Sequence, residues 1–227
     1  MTWSELLFAH WSFEPDIVAR HLPDGLSLDV RDGRAWVGVV PFLMSGVAPR
    51  CCPPMPYLSR FLELNVRTYV VVDGKPGVWF FSLDAANKIA VRIARKTFSL
   101  PYMDATMSLK GDDTSSINYQ STRTHRGEPE ADFSATYRRQ GESFEAGQGT
   151  LEHWLTARYC LYSANRKGNI YRGEIDHPPW TLRKAECDIA KNTMGDGYGF
   201  AFDGPPHLLY AEPIHVRAWP ITRCTTP

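Results

Sequence analysis

Neither sign of charge is in excess in this chain: 25 Lys and Arg stand against 25 Asp and Glu in 227 residues. A domain built for nucleic acid or an anionic membrane normally carries a basic surplus, so neither is expected as a partner. A near-zero charge also lowers self-repulsion, which suits a homo-oligomer. No stretch approaches the roughly 18 apolar residues that a bilayer span requires. Met1 to Trp11 has no basic segment, and His10 interrupts its short apolar run, so it does not read as a secretory signal. The five cysteines (Cys51, Cys52, Cys160, Cys187 and Cys224) are odd in number and show no CxxC spacing. That excludes a disulfide framework or zinc knuckle as the expected design and fits a reducing cytoplasm. The vicinal Cys51-Cys52 has no neighbouring base to activate it. The seven histidines form no HxH or HExxH pattern, so no metal site is expected. Nor is there a GxSxG, GxGxxG or Walker pattern, and no cofactor is expected. Gly195-Asp196-Gly197-Tyr198-Gly199 is glycine-rich but does not join a clear strand to a clear helix, and it reads as a mobile loop.

What is present is apolar and aromatic: 43% hydrophobic residues and 12% Phe, Trp and Tyr, enough for a large core. Pro15 to Leu22 reads as a short helix with Pro in its first turn, ended by Pro23-Asp24-Gly25. Leu26–Val30 and Arg34–Phe42, joined by Arg31-Asp32-Gly33, read as a hairpin. Phe61–Val72 and Gly77–Leu83 are strands joined by Asp73-Gly74-Lys75-Pro76. Ala85 to Phe98 is the best helix. At 100° per residue it gathers Ile89, Ala90, Ile93, Ala94, Thr97 and Phe98 on one side, and Lys88, Arg92, Arg95 and Lys96 on the other. Further strands are expected at 104–110, 114–124, 132–139, 159–164, 169–176, 182–190 and 207–219, with a short helix at 150–157 and a frayed tail at 222–227. About ten short strands and few helices, with no repeat or linker, predict one mainly β domain over 1–227.

The segment richest in chemistry is Phe61-Leu62-Glu63-Leu64-Asn65-Val66-Arg67-Thr68-Tyr69-Val70. Alternation along a strand puts Glu63, Asn65, Arg67 and Tyr69 on one face and Leu62, Leu64, Val66, Thr68 and Val70 on the other. Core on one side and water on the other is one reading. The other is a polar face looking into a cavity, favoured because an acid, an amide, an arginine and a phenol are hydrogen-bonding groups, unlike a solvated Lys/Glu/Ser edge. In such a cavity Arg67 can reach Asn65 or clamp a carboxylate, and a desolvated Glu63 can act as acid or base. Tyr102, after the helix stop at Pro101, is a second candidate, either a pocket wall with a donor at its tip or a packed ring. His177-Pro178-Pro179-Trp180, stiffened by its prolines, supplies His177 and Trp180. Arg158, beside Tyr159, completes the set.

Several of these motifs carry a family resemblance. Phe8-Ala9-His10-Trp11, Leu22-Pro23-Asp24-Gly25-Leu26, Val39-Val40-Pro41-Phe42, Glu63 to Val70, Gly77 to Asp84, Leu100-Pro101-Tyr102, Arg158 to Tyr162 and His177 to Trp180 resemble the YqjF-like family of uncharacterised bacterial proteins. More remotely, that family is similar to acetoacetate decarboxylase. The resemblance implies a cone-shaped, largely antiparallel β-barrel with a few flanking helices, an internal pocket and a tendency to oligomerise. It also implies a pocket role for Glu63 and carboxylate binding by Arg67. The decarboxylase forms a Schiff base through one of two adjacent lysines that follow a proline. Here Tyr102 and Met103 occupy those places, and neither a phenol nor a thioether can form an imine. Lys96, on the charged side of the helix, would remain protonated. The expected function is therefore binding or conversion of a small organic acid without a Schiff-base lysine; a sensing or carrier domain, or a structural subunit with the cavity filled, stays open.

Overall fold

The computed structural model describes residues 1–48, 59–112 and 114–224, and omits the side chains at 93, 94 and 96. Cys51-Cys52 therefore lies outside the described residues, as does Lys96 beyond its backbone. Sixteen strands join one sheet. In chain order they are β1 (Thr2–Ser4), β2 (Leu6–Phe13), β3 (Ser27–Leu28), β4 (Ala35–Ser45), β5 (Phe61–Val72), β6 (Lys75–Ala85), β7 (Tyr102–Lys110), β8 (Ile117–Arg123), β9 (Asp132–Glu145), β10 (Cys160–Ala164), β11 (Ile170–Asp176), β12 (Thr181–Asn192), β13 (His207–Ala211), β14 (Ile214–His215), β15 (Arg217–Ala218) and β16 (Thr222–Arg223). The helices are α1 (Pro15–Ala19), α2 (Lys88–Phe98) and α3 (Leu151–Thr156).

Pairing runs β4-β2-β13-β12-β9-β8-β7-β6 and returns through β5, which bonds both β6 and β4. The strand circuit is thus closed, and most of its pairs are antiparallel. Two pairs depart from the expected antiparallel pattern: β6 runs parallel to β7 and to β10. Inside the circuit lies the main core. Leu7, Ala9 and Trp11 of β2, Val37 and Val39 of β4, Leu64 and Val66 of β5, Phe81 of β6, Tyr119 of β8, Phe133 and Tyr137 of β9 and Tyr210 of β13 meet there. A second apolar cluster covers the other face of β2, β4 and β5. It joins Phe8, Val40, Phe42 and Phe61 to Val91 of α2 and to Trp180, while Tyr69 packs with Leu155 and Trp154 of α3. Strands β4, β5 and β6 therefore form a wall between two buried layers, which is why their sequences stay apolar through successive residues.

Several sequence expectations need correction. The turn at Arg31–Arg34 forms, but Ser27–Leu28 bonds β5 and not β4; β3 and β4 pair in succession with β5, both antiparallel to it, in place of the expected hairpin. Among the described side chains of α2, Val91 is fully buried and Ile89 is 57% exposed, so Ile89 does not take the covered place the wheel gave it. Segment 207–219 is three short strands, interrupted beside Pro213, which has no N–H to give a ladder. Asp196–Tyr198 forms a 3-10 turn in place of a loop without structure. It delivers Phe200 to the core and lets the Tyr198 hydroxyl donate to the Phe81 carbonyl at 2.6 Å. The tail is anchored as far as Cys224, through β16 on β11 and a buried Cys224. No described helix is long and apolar enough to cross a membrane.

Candidate functional site

The alternation along β5 produces the predicted partition. Its register with β4 is regular, so Glu63, Asn65 and Arg67 stand opposite Phe42, Val40 and Gly38. Against β6 the register slips at Phe81, between the Val66–Ser82 and Arg67–Phe80 pairs. That bulge lets β6 keep Phe81 in the main core. The polar row is enclosed: Glu63 is 2%, Asn65 4% and Tyr69 0% exposed, and Arg67 is half-buried. Glu63, Asn65 and Tyr69 are thus shielded from water, while Arg67 keeps part of its surface exposed. One element of the cavity reading is corrected: the row does not face the inside of the strand circuit, which holds the main core. It faces the second layer, beneath α2, α3 and Trp180.

Tyr102 reaches this layer through local backbone chemistry. Asn87 caps the start of α2 by accepting from the Ile89 and Ala90 N–H groups. Ser99, in the left-handed region at φ 51°, ends it. Pro101 then prevents continuation, and Tyr102 enters β7 beside Leu83 of β6. The Arg95 guanidinium donates to the Tyr102 carbonyl at 2.6 Å. Arg92 grips Asp104 with two bonds of 3.0 and 2.9 Å, holding the helix against the strand that carries Tyr102. Met103, next in the chain, pairs with Asp84 and is buried. Tyr102 and Met103 thus alternate to opposite faces.

The Tyr102 hydroxyl donates to Glu63 Oε2 at 2.9 Å, and the Asn65 side chain also hydrogen-bonds that carboxyl. Burial nevertheless dominates. It raises the Glu63 pKa to about 8, against the lowering effect of Tyr102 and Asn65, with a smaller upward push from Asp84. Near neutral pH Glu63 is chiefly a carboxylic acid, able to donate a proton. Burial and the nearby Glu63 drive the Tyr102 phenol well above its usual range, so it remains a donor.

Arg67 lies at the other end of the row, about 13 Å from Glu63 between Cα atoms at roughly 3.3 Å per residue. It does not reach Asn65. Its Nη2 donates to the Tyr69 hydroxyl at 3.4 Å, and its guanidinium sits 5.0 Å from the Phe8 ring centre. Among the described residues it has no carboxylate partner, and its Nε, like Asn65 Oδ1, finds no hydrogen-bond partner there.

The other candidates divide. Trp180 is a wall of the layer. It donates to the Thr156 carbonyl at 3.0 Å and packs edge-on to Phe8 at 5.3 Å. His177 is wedged between Tyr159 and Trp180, at 4.8 and 5.0 Å between ring centres, and its Nδ1 donates to the Pro178 carbonyl. Arg158 is already engaged: Nη1 donates to Asp29 at 2.6 Å, and the group stacks on Trp154 and Tyr69. That carboxylate balances its charge, while its Nη2 finds no hydrogen-bond partner among the described residues. Two cavities, of about 490 and 390 Å³, lie elsewhere. Tyr137, Ala185, Cys187 and Leu208 help to line the first, and Leu43, Arg60, Leu62 and Met107 the second; Glu63, Asn65, Arg67 and Tyr102 line neither.

Sequence reasoning missed His10. Its Nε2 lies 2.6 Å from the Tyr69 hydroxyl. Burial, and then Arg67 and His207, hold its pKa well below the usual imidazole value. It also missed the buried pair on the opposite face of the wall, where Arg123 grips Asp84 at 2.9 and 2.8 Å inside the main core. The one sequence signal for His10 was Gly38, a glycine inside an otherwise apolar strand.

Comparison with known proteins follows the fold. A family model described as an uncharacterized conserved protein, DUF2071, matches residues 1–215. YqjF of Bacillus subtilis (strain 168), itself described as uncharacterized, is 41% identical over 224 residues, covering 98% of this chain and 90% of YqjF. An acetoacetate decarboxylase-like enzyme from Sphingomonas wittichii RW1 is similar in structure, with a TM-score of 0.67 at 11% identity over 100% of this chain and 92% of that one. So is acetoacetate decarboxylase from Legionella pneumophila, at 0.62 and 10% over 99% and 86%. So too is the enduracididine biosynthesis enzyme MppR complexed with pyruvate, at 0.65 and 11% over 98% and 88%. At these identities the likeness concerns the fold: mainly β, with few helices, of the acetoacetate decarboxylase-like type.

Proposed function

Starting from a chain that belongs to the DUF2071 family of uncharacterised conserved proteins, we propose that it binds, and in some form converts, a small organic acid in the layer beside Glu63 and Arg67. The closed strand circuit is read as a cone-shaped barrel, and the ligand compartment lies against the outer face of its β4–β5–β6 wall. Arg67 would hold the ligand's carboxylate. Glu63, kept protonated by burial and oriented by the proton that the Tyr102 phenol gives to Oε2, would donate from its own O–H to the other polar end. Trp180 and Phe8 would form the apolar sides.

One observation carries this reading: Arg67 is a half-buried cation, placed over an aromatic ring, with no carboxylate partner among the described residues. A cation so placed gains from an anion delivered by a ligand. No imine step belongs to the proposal, since Tyr102 and Met103 carry no amine. Pyruvate is the first probe, because it is bound in the similar MppR structure. Calorimetric titration is expected to show binding that Arg67→Leu weakens roughly 10–100-fold, the range for a lost charge-assisted hydrogen-bond partner. Equal affinity in the two proteins removes the clamp. The balanced charge suits a homo-oligomer, to be checked by light scattering, and the odd, unpatterned cysteines suit a reducing cytoplasm.

A second reading, a structural or interaction subunit whose layer is already filled, is favoured by the rings of Phe8, Trp3 and Trp180 packed together and by cavities that lie elsewhere. Under it, no organic acid changes the melting temperature.

A further inference from the structure

Three strands bring His10 of β2, Gly38 of β4 and Arg67 of β5 into one cross-strand row, since His10 pairs with Gly38 and Gly38 with Arg67. Mid-strand glycine weakens a strand and often marks a place where something approaches closely. Here the approaching group is His10. A Cβ at position 38 would lie 2.7 Å from His10 Nε2, 2.8 Å from His10 Cδ2 and 3.6 Å from Arg67 Cγ. The glycine leaves room for the imidazole to lie across β4 and meet Tyr69.

The hydrogen bonds then fix one another. A guanidinium can only donate, so the Tyr69 oxygen accepts from Arg67 Nη2 at 3.4 Å. The phenol's own proton is thereby free for His10 Nε2 at 2.6 Å. In the tautomer where Nε2 accepts that proton, neutral His10 carries its own on Nδ1. That atom has no hydrogen-bond partner among the described residues. Tyr69 is itself clamped, with Trp154 at 4.8 Å and the Arg158 guanidinium at 4.9 Å from its ring centre.

We infer that His10 and Tyr69 are positioning residues that fix the Arg67 guanidinium over Phe8, and that Gly38 is the notch making their contact possible. The inference deepens the proposed function and rests on its reading of Arg67 as the anion clamp. Tyr69 has no exposed surface and acts through Arg67; it is not a group that a ligand touches.

The test has a ligand-free arm and a ligand arm. In the first, ¹⁵N NMR of arginine- and histidine-labelled protein follows the Arg67 Nε–H and the His10 ring nitrogens. The intact chain is expected to give a slowly exchanging Arg67 Nε–H and a His10 Nε2 shift typical of an acceptor. Tyr69→Phe and Gly38→Ala should move both signals and speed exchange at Arg67. His10→Gln, whose amide oxygen reaches the Nε2 position, should keep the Arg67 signal, and His10→Leu should lose it. Circular dichroism and a cooperative melt establish that each variant is folded. An unchanged Arg67 signal in folded Tyr69→Phe overturns the inference. In the second arm, pyruvate titration separates the two ideas. Weakening by Arg67→Leu but not by Tyr69→Phe sinks the positioning role alone, while no effect of Arg67→Leu sinks the clamp itself.

Discussion

Glu63→Gln offers a quantitative check because it removes one ionisation while its amide keeps the shape and the hydrogen-bonding capacity of the carboxylic acid. In the folded protein burial raises the Glu63 pKa from the ordinary 4.5 to about 8. Between those two values the folded state holds a proton that the unfolded state has released. The stabilising contribution of the neutral acid is therefore complete below pH 4.5 and disappears as pH climbs to 8. The loss is about 1.4 kcal/mol for each pH unit in that window, on the order of 5 kcal/mol in total. Marginal stability makes a change of this size easy to see. Urea unfolding of both proteins at pH 5, 6, 7 and 8 should show the wild type losing about 3 kcal/mol relative to Glu63→Gln between pH 5 and 7.5. Other titrating groups, including buried His10, are common to both proteins and cancel in the difference. Parallel pH profiles would show that Glu63 is solvated and would refute the reasoning.

Four other outcomes are expected. His10 carries the opposite sign: its folded pKa lies well below 6.5, so its contribution is complete above 6.5 and lost toward acid, and His10→Gln should flatten the acid side of the stability profile. Arg123→Met leaves the buried Asp84 carboxyl without its guanidinium partner, so chemical denaturation should show a loss of about 3–5 kcal/mol. Asn87→Ala removes the α2 cap and should cost about 1 kcal/mol, read as a lower melting temperature. Borohydride treatment with pyruvate should give no covalent mass gain; a gain would mean that some lysine forms an imine and that the substitution at Tyr102 and Met103 has been misjudged.

Much of the wall was legible because it is local. The two-residue period of Phe61–Val72 separates Glu63, Asn65, Arg67 and Tyr69 from the apolar set, and the structure keeps that separation across the whole strand. The helix stop before Tyr102 is equally local: Pro101 and a left-handed Ser99 aim the chain at Glu63. What escaped were consequences of long-range pairing. His10 meets Tyr69 across 59 positions, and Arg123 meets Asp84 across 39, separations at which no periodicity speaks. The hairpin failed for the same reason, because Ser27–Leu28 found a better edge on β5. Arg158 illustrates a different limit: its pairing with Asp29 spans 129 positions, beyond any local pattern, while its Nη2 keeps no partner among the described residues. Residue type alone also could not say which of two buried layers the polar row faces, since β5 is covered on both.

The most direct measurement is a crystal structure of the protein soaked with pyruvate. The account predicts density for the acid in the layer under Trp180, with its carboxylate bonded to Arg67 and Glu63 and Tyr102 at the far end of the row. Side chains of Phe8, Trp3 and Trp180 filling that layer completely, with Arg67 unmoved and the acid absent or elsewhere, would contradict it.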